Sequence, residues 1–374
     1  MAHNLQKLVG AMLTIGSLVA PSRGECDFLH ELIYPTREIL SLGKQTNLSL
    51  KHRVFATSIT RAENGDYIVV GADSPDGHTP WAIRFGTALR WEYIDDPLDV
   101  GKGRPFENNR IADGLDTGGN ITLLCGTRKV GDNQAGFILL IGADNKKAGE
   151  RGFKSTDYAD TSISKCLKWN GGIALLGSLG KGKNGWLIMI DSSGSLQSST
   201  LGEDFRALDA LETADHDLIV LNEQRVVRIN GARNIVARYD FEGSSPILIH
   251  PVTPSDTIQI GVMKDTYKTQ FITLDRNLHE TGRVNAKNVG LRSSGYRLAD
   301  RSLVVFGSTF SGYATANVAR IYSDGSKRNF ALNPLHAAGW VQSAVPIDPP
   351  REFVMVTNLN DGQTIVSEIS IVPK

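Results

Sequence analysis

Seven times after residue 50, the chain runs a polar turn into a short apolar, β-rich stretch that ends on a small or polar residue. The copies are Gly65–Gly71, Gly119–Gly126, Gly171–Gly177, His216–Asn222, Ser255–Gly261, Arg301–Gly307 and Arg351–Thr357. Their last residues lie 39 to 55 positions apart, about 48 on average. Each copy is followed by a second apolar strand: Trp81–Phe85, Phe137–Ile141, Trp186–Asp191, Val226–Ile229, Phe271–Asp275, Val318–Tyr322 and Ile365–Ile369. Several of these enter hairpin signals, namely Asp191–Gly194, Asn230–Gly231 and Ser323–Gly325. Few windows hold a helical period, so crossover α/β folds are disfavoured.

A strand-rich period of this length matches a four-stranded blade. One blade cannot bury both faces, whereas radial stacking of blades can. The sequence therefore predicts an all-β fold: a seven-bladed β-propeller of four-stranded antiparallel blades. The last unit runs out of chain before its outer strand. Glu38–Leu42 is the best candidate to supply it and close the ring, with Asn47–Lys51 the second choice. The glycine excess, 38 of 374 residues, reads as punctuation that closes strands and opens hairpins.

The repeat pattern, G-[DNG]-x-I-x-L-x-G followed by W-x-I-x-x-[DF], is fullest at Trp186–Asp191 with Gly194 after it. In this it resembles bacterial secreted and periplasmic β-propellers of the quinoprotein-like and YVTN-like repeat superfamily, over roughly residues 50–372. The resemblance implies a fold and not an activity. The D-x-x-T-G-x-x-x-W repeats and the vicinal cysteine pair of quinone-dependent dehydrogenases are missing, so no quinone, and no other cofactor, is expected.

Lys7 followed by the apolar run Leu8–Ala20 reads as a signal peptide, too short to span a bilayer. Cleavage is expected after Ser22-Arg23-Gly24, with Ala20-Pro21-Ser22 as the other small-residue site. Residues 1–24 would then be the signal and 25–374 a single propeller domain, periplasmic or secreted. Cys26 lacks a lipobox. The three cysteines, Cys26, Cys125 and Cys166, fit no zinc spacing and allow one disulfide, whose pair the sequence leaves open. No later apolar run reaches membrane-spanning length, and a monomer is expected.

Lys plus Arg and Asp plus Glu are 40 each, which argues against a general nucleic-acid binder. Local basic patches remain compatible with that balance. Three equivalent loops carry Arg128 and Lys129, Lys181 and Lys183, and Lys264 and Lys268, a candidate cationic rim for a protein or envelope ligand. The long connection over 95–110 adds Arg104 and Arg110, and later connections add His336 and Trp340. Asp73–His78 misses calcium-loop spacing, and Gly180-Lys181-Gly182-Lys183 is not a phosphate loop. No catalytic residue is assigned. The sequence reads as an extracytoplasmic, non-enzymatic binding propeller of scaffold or toxin-immunity type. The alternative is a secreted carbohydrate hydrolase or lyase using loop acids and His336. A third reading is a lectin-like ring with Trp340 and Tyr313 as stacking faces.

Overall fold

The computed structural model describes residues 38–48, 55–72, 80–86, 110–142, 147–180, 184–203, 205–252, 255–265, 268–287, 289, 294–310, 314–323, 325–331, 339–347 and 352–373. By compactness the chain divides into two units, 40–371 and 1–39 with 372–374. Of the smaller unit only residues 38, 39, 372 and 373 are described, as the ends of two strands. The predicted signal peptide and Cys26 lie outside the described residues.

The larger unit is all-β among its described residues. Its described residues form six hydrogen-bonded sheets: four of four strands, one of three and one of eight. Within four-stranded units, consecutive strands pair antiparallel, as in Thr161–Trp169, Gly172–Leu179, Asn184–Ile190 and Leu196–Glu203. The eight-stranded sheet is two such units, 244–287 and 294–331. Their ladders are joined where their first strands meet in parallel, at Ile249–Gly295, His250–Tyr296 and Pro251–Arg297.

The two strands predicted in each repeat are the second and third strands of these units. They are the most apolar strands because both of their faces are covered. Tyr67–Ala72 and Leu218–Leu221, for example, are buried at every position. Buried clusters lie between successive units. Ile68, Val70, Leu124 and Phe137 join the first sheet to the second, and Trp169, Leu176, Leu218 and Val220 join the third to the fourth. Phe306 and Phe353, with ring centroids 5.1 Å apart, join the sixth unit to the last. Each fully buried aliphatic or aromatic side chain contributes about 1.5–3 kcal/mol, so a unit separated from its neighbours loses most of its core. Several of the polar turns opening the repeats carry a left-handed residue, as at His216 (φ 62°) and Arg301 (φ 66°).

The glycines that end three of the repeats have a different role from the one their position suggests. Strands Ile121–Val130 and Gly172–Leu179 continue past Gly126 and Gly177. At these glycines the pairing with the first strand shifts register, leaving Thr57, Ala112 and Ser164 as bulged residues. A Cβ on Gly71, Gly126 or Gly177 would run into the carbonyl oxygen of Phe55, Arg110 or Ser162. The glycine is required by the close passage of the neighbouring backbone, not by a strand end.

The sheet formed by Gly339–Ile347, Glu352–Leu359 and Thr364–Pro373 takes Glu38–Asn47 as its fourth strand. Leu48 N donates to Thr364 O at 2.8 Å, and Asn47 Nδ2 donates to Gln363 Oε1 at 2.7 Å. The expected N-terminal strand therefore pairs where it was placed and runs five residues further than Leu42. The same sheet packs on the first one. Asn358 brackets the backbone of Ala56, accepting from its N–H at 3.0 Å and donating to its carbonyl at 2.9 Å. Leu48, Tyr67, Val69, Val354, Val356 and Val366 share one cluster. Deleting residues 36–50 should lower the thermal midpoint by more than 10 °C, because it uncovers Thr364–Pro373 and removes Leu48; an unchanged midpoint in a melting curve would contradict this.

Candidate functional site

The first strand of several units is more polar than the two behind it, as Thr161–Trp169 is beside Gly172–Leu179 and Asn184–Ile190. Phe55–Arg61 and Thr161–Trp169 alternate between buried and half-exposed positions, as a strand with one face on the core and one on solvent must. The solvent faces converge on one cavity of about 650 Å³. Residues from Phe55–Arg61, Arg110–Gly118, Thr161–Trp169, Asp209–Glu212, Ser244–Pro251, Ser294–Arg297 and Gly339–Ile347 all line it.

Equivalent register positions supply one layer of this lining. Ser58, Asp113, Lys165, Asp209, Ser294 and Ser343 each pair, on the adjacent second strand, with Val70, Cys125, Leu176, Leu221, Phe306 and Val356 in turn. That partner is the residue just before the last residue of the repeat. In Ser244–Pro251 the register shifts between Ser244 and Ile247. The equivalent residue there, Leu248, is buried, and His250 faces the cavity instead.

Four titratable residues from four successive first strands form a chain. Lys165 Nζ lies 3.2 Å from Asp113 Oδ2 and 3.3 Å from Asp209 Oδ1. Asp209 Oδ2 accepts a hydrogen bond from His250 Nε2 at 2.7 Å. Ser58 Oγ donates to Asp113 Oδ1 at 2.8 Å, the Cys166 N–H donates to Asp113 Oδ2 at 3.4 Å, and the Ala210 N–H donates to Asp209 Oδ1 at 2.9 Å. The Asp113 side chain is 3% exposed and the Lys165 side chain 26%, so the ammonium meets the solvent of the cavity while the carboxylate does not.

Burial opposes charge on Lys165, but the two carboxylates outweigh it and hold the amine well above the ordinary lysine range. Burial likewise opposes charge on Asp209, and Lys165 with His250 outweighs it, holding the carboxyl well below the ordinary range. Tyr296 closes the wall beside His250, with ring centroids 6.1 Å apart, and its hydroxyl donates to Ala344 O at 2.5 Å. Burial, and after it the Asp209 charge, push that phenol up, so it stays protonated.

Two expectations follow. Lys165→Met removes the only cation between Asp113 and Asp209 in this chain of contacts. It should cost about 2 kcal/mol in urea unfolding, since a buried carboxylate loses its partner. Asp209, with its folded pKa depressed, contributes stability above its unfolded value, near 3.9, and loses it as pH falls through the folded value. Below about pH 5 the urea midpoint of the unmodified chain should therefore fall more steeply than that of Asp209→Asn.

Of the residues singled out in the sequence, Trp340 lines the cavity, its Nε1 donating to Gln342 Oε1 at 3.2 Å. Arg128 pairs with Glu150 and stacks on Phe137, so its charge is engaged within its own sheet. Lys264 lies 3.8 Å from Glu242 and Lys268 3.7 Å from Asp265. Arg110 and Lys129 are exposed. Arg104, Lys181, Lys183 and His336 lie outside the described residues, as do Tyr313 and the Asp73–His78 loop. The sequence reading missed Asp113, Lys165, Asp209 and His250. Asp113 and Asp209 sit 13 positions before the last residue of their repeats and Lys165 sits 12 before, an offset that would have marked them.

No protein-family model and no curated protein matches the chain. Solved structures do. The Pan2 WD40 domain of Neurospora crassa superposes with a TM-score of 0.61 at 10% identity, over 89% of this chain and 96% of that one. A chain of a mitotic checkpoint complex gives 0.58 at 9% identity, over 96% of both. The extracellular domain of a hybrid two-component system of B. thetaiotaomicron gives 0.54 at 10% identity, over 88% of this chain and 40% of that one. At these identities the likeness is one of fold, and the fold is that of a β-propeller.

Proposed function

We propose that this protein is a seven-bladed propeller that works outside the cytoplasm as a non-enzymatic binding scaffold. The observation that carries the non-enzymatic part is the state of the channel groups. A general acid needs a raised carboxyl pKa and a general base a lowered amine pKa. Lys165 is shifted up by Asp113 and then Asp209, and Asp209 is shifted down by Lys165 and then His250, in each case against burial. Asp209 and Lys165 therefore keep their charges near neutrality. That weighs against Asp209 as the proton-donating acid, and Lys165 as the neutral amine base, of a carbohydrate hydrolase or lyase.

Seven first strands around one cavity, and the packing of the last sheet on the first, support seven blades in a closed ring. Likeness to a chain of a mitotic checkpoint complex and to BBS1N, solved in complex with ARL6DN, supports a protein-interaction role. The disulfide between Cys125 and Cys166, the signal-like N-terminus and the secreted-propeller repeat pattern support an oxidising, extracytoplasmic site of action. The loop face is the docking surface in this reading, with Arg110 and Lys129 exposed cations on it that have no acidic partner among the described residues. The partner is a protein or envelope component with an acidic surface.

The test has two arms. Expressed from its full sequence in a bacterial host, the chain should be exported and begin at Glu25 when its N-terminus is sequenced. Immobilised on beads, it should retain acidic partners from an envelope extract that an Arg110→Glu, Lys129→Glu variant of unchanged thermal midpoint releases. Retention of the leader in the cytoplasm would overturn the location, and equal capture by the variant would overturn the loop face.

A further inference from the structure

We propose that the channel itself is a ligand site, and that its ligand is an uncharged polyhydroxylated molecule of one or two sugar rings. A cavity of about 650 Å³ falls in the range of small-molecule sites, about 300–1,000 Å³. Its charged groups are already matched to one another. Both oxygens of Asp113 accept from Ser58, Lys165 and the Cys166 N–H, and both oxygens of Asp209 accept from Lys165, His250 and the Ala210 N–H. An entering anion would meet two carboxylates beside the one ammonium, and an entering cation would meet that ammonium between its carboxylates. Neither sign gains a clear counter-charge, and either would forfeit its hydration.

What the lining leaves open is neutral and two-sided. The hydroxyls of Thr60, Ser245 and Ser343 have no protein partner among the described residues, and neither has His250 Nδ1, the ring nitrogen turned from Asp209. Hydroxyls donate and accept alike, which is the pattern a sugar hydroxyl presents in return. Trp340 adds one large aromatic surface to the lining, and Gln342 fixes it by accepting from its Nε1 and donating to Thr57 O at 3.3 Å. Aromatic surface beside hydrogen-bonding groups suits a ring that is apolar on its C–H face and polar at its edge. Asp113, Lys165 and Asp209 then act as a rigid, neutralised frame that positions this lining.

This inference does not depend on the loop face: partner capture reads that surface, and sugar titration reads the channel. The full chain would be titrated with glucose, galactose, mannose, maltose and cellobiose, and with glucosamine and glucuronate as charged counterparts. Calorimetry and tryptophan fluorescence would both be followed. At least one neutral saccharide should bind saturably at one site, with its charged counterpart about tenfold or more weaker. Trp340→Ala should weaken that binding about tenfold or more, Trp340→Phe should retain most of it, and Ser245→Trp, which fills the channel from an exposed position, should abolish it. Thermal midpoints confirm that the variants are folded. If Trp340→Ala does not fold, Ser245→Trp alone decides. Absence of saturable binding by every neutral saccharide below about 10 mM, tighter binding of a charged counterpart, or unchanged affinity in folded Ser245→Trp would overturn the proposal.

Discussion

Gly177→Ala should be among the most damaging single substitutions in this chain, lowering unfolding free energy by about 4 kcal/mol or more. The added Cβ would run into Ser162 O, with Ser162 C 2.8 Å and Ile163 Cα 3.1 Å away. All three are backbone atoms, so no side-chain rotation relieves the clash. The strand that would have to move, Thr161–Trp169, carries Lys165 into the channel and packs Ile163 and Cys166 into the core. The damage therefore spreads from packing to the charged chain. Gly194→Ala is the control. Gly194 sits in an open turn at φ 81° with nothing within 4 Å of a built Cβ, so its cost is backbone strain alone, about 1 kcal/mol. Urea melts of the two variants should differ by about 3 kcal/mol, and equal costs would contradict the role assigned to the bulge.

Loss of the Cys125–Cys166 disulfide should cost about 4 kcal/mol. The bond closes a loop of sequence separation 41 with Cα atoms 6.3 Å apart, and the entropy removed from the unfolded chain by a loop of that length gives this figure. Its position makes the effect local as well as global. It ties the second strand of one sheet to the first strand of the next, at two residues that are 0% and 3% exposed. Cys125 is the cross-strand partner of Asp113, and Cys166 follows Lys165 and donates its N–H to Asp113. Reduction should therefore lower the thermal midpoint and also loosen the Asp113–Lys165 contact. In the Cys125→Ala, Cys166→Ala double variant, thiol reductant should have no further effect. A midpoint unmoved by reductant in the unmodified chain would contradict the assignment.

The division between what could be read in the sequence and what could not follows from which faces each strand covers. Second and third strands are apolar on both faces, so Leu218–Leu221 and Trp186–Ile190 announce themselves, and with them the repeat and its period. First strands put one face on the channel, so Thr161-Ser162-Ile163-Ser164-Lys165 reads like any polar connection. Asp113, Lys165 and Asp209 lie far apart in the chain, and only the radial stacking of units makes neighbours of them. The disulfide was open for the same reason: Cys125 and Cys166 meet only because one unit's second strand packs on the next unit's first. The rim cations carried a visible charge pattern, yet Arg128, Lys264 and Lys268 face nearby carboxylates at Glu150, Glu242 and Asp265, which loop composition alone does not reveal.

The central claim is that Asp209 and Lys165 are fixed in their charged states by their contacts and frame the cavity instead of transferring protons. The most direct measurement is an NMR titration of the Asp209 side-chain carboxyl carbon, assigned by comparison with Asp209→Asn. The carboxyl should stay ionised from neutrality down to well below the ordinary aspartate midpoint near 3.9. A midpoint between about pH 5 and 7, where a general acid is tuned, would contradict the account.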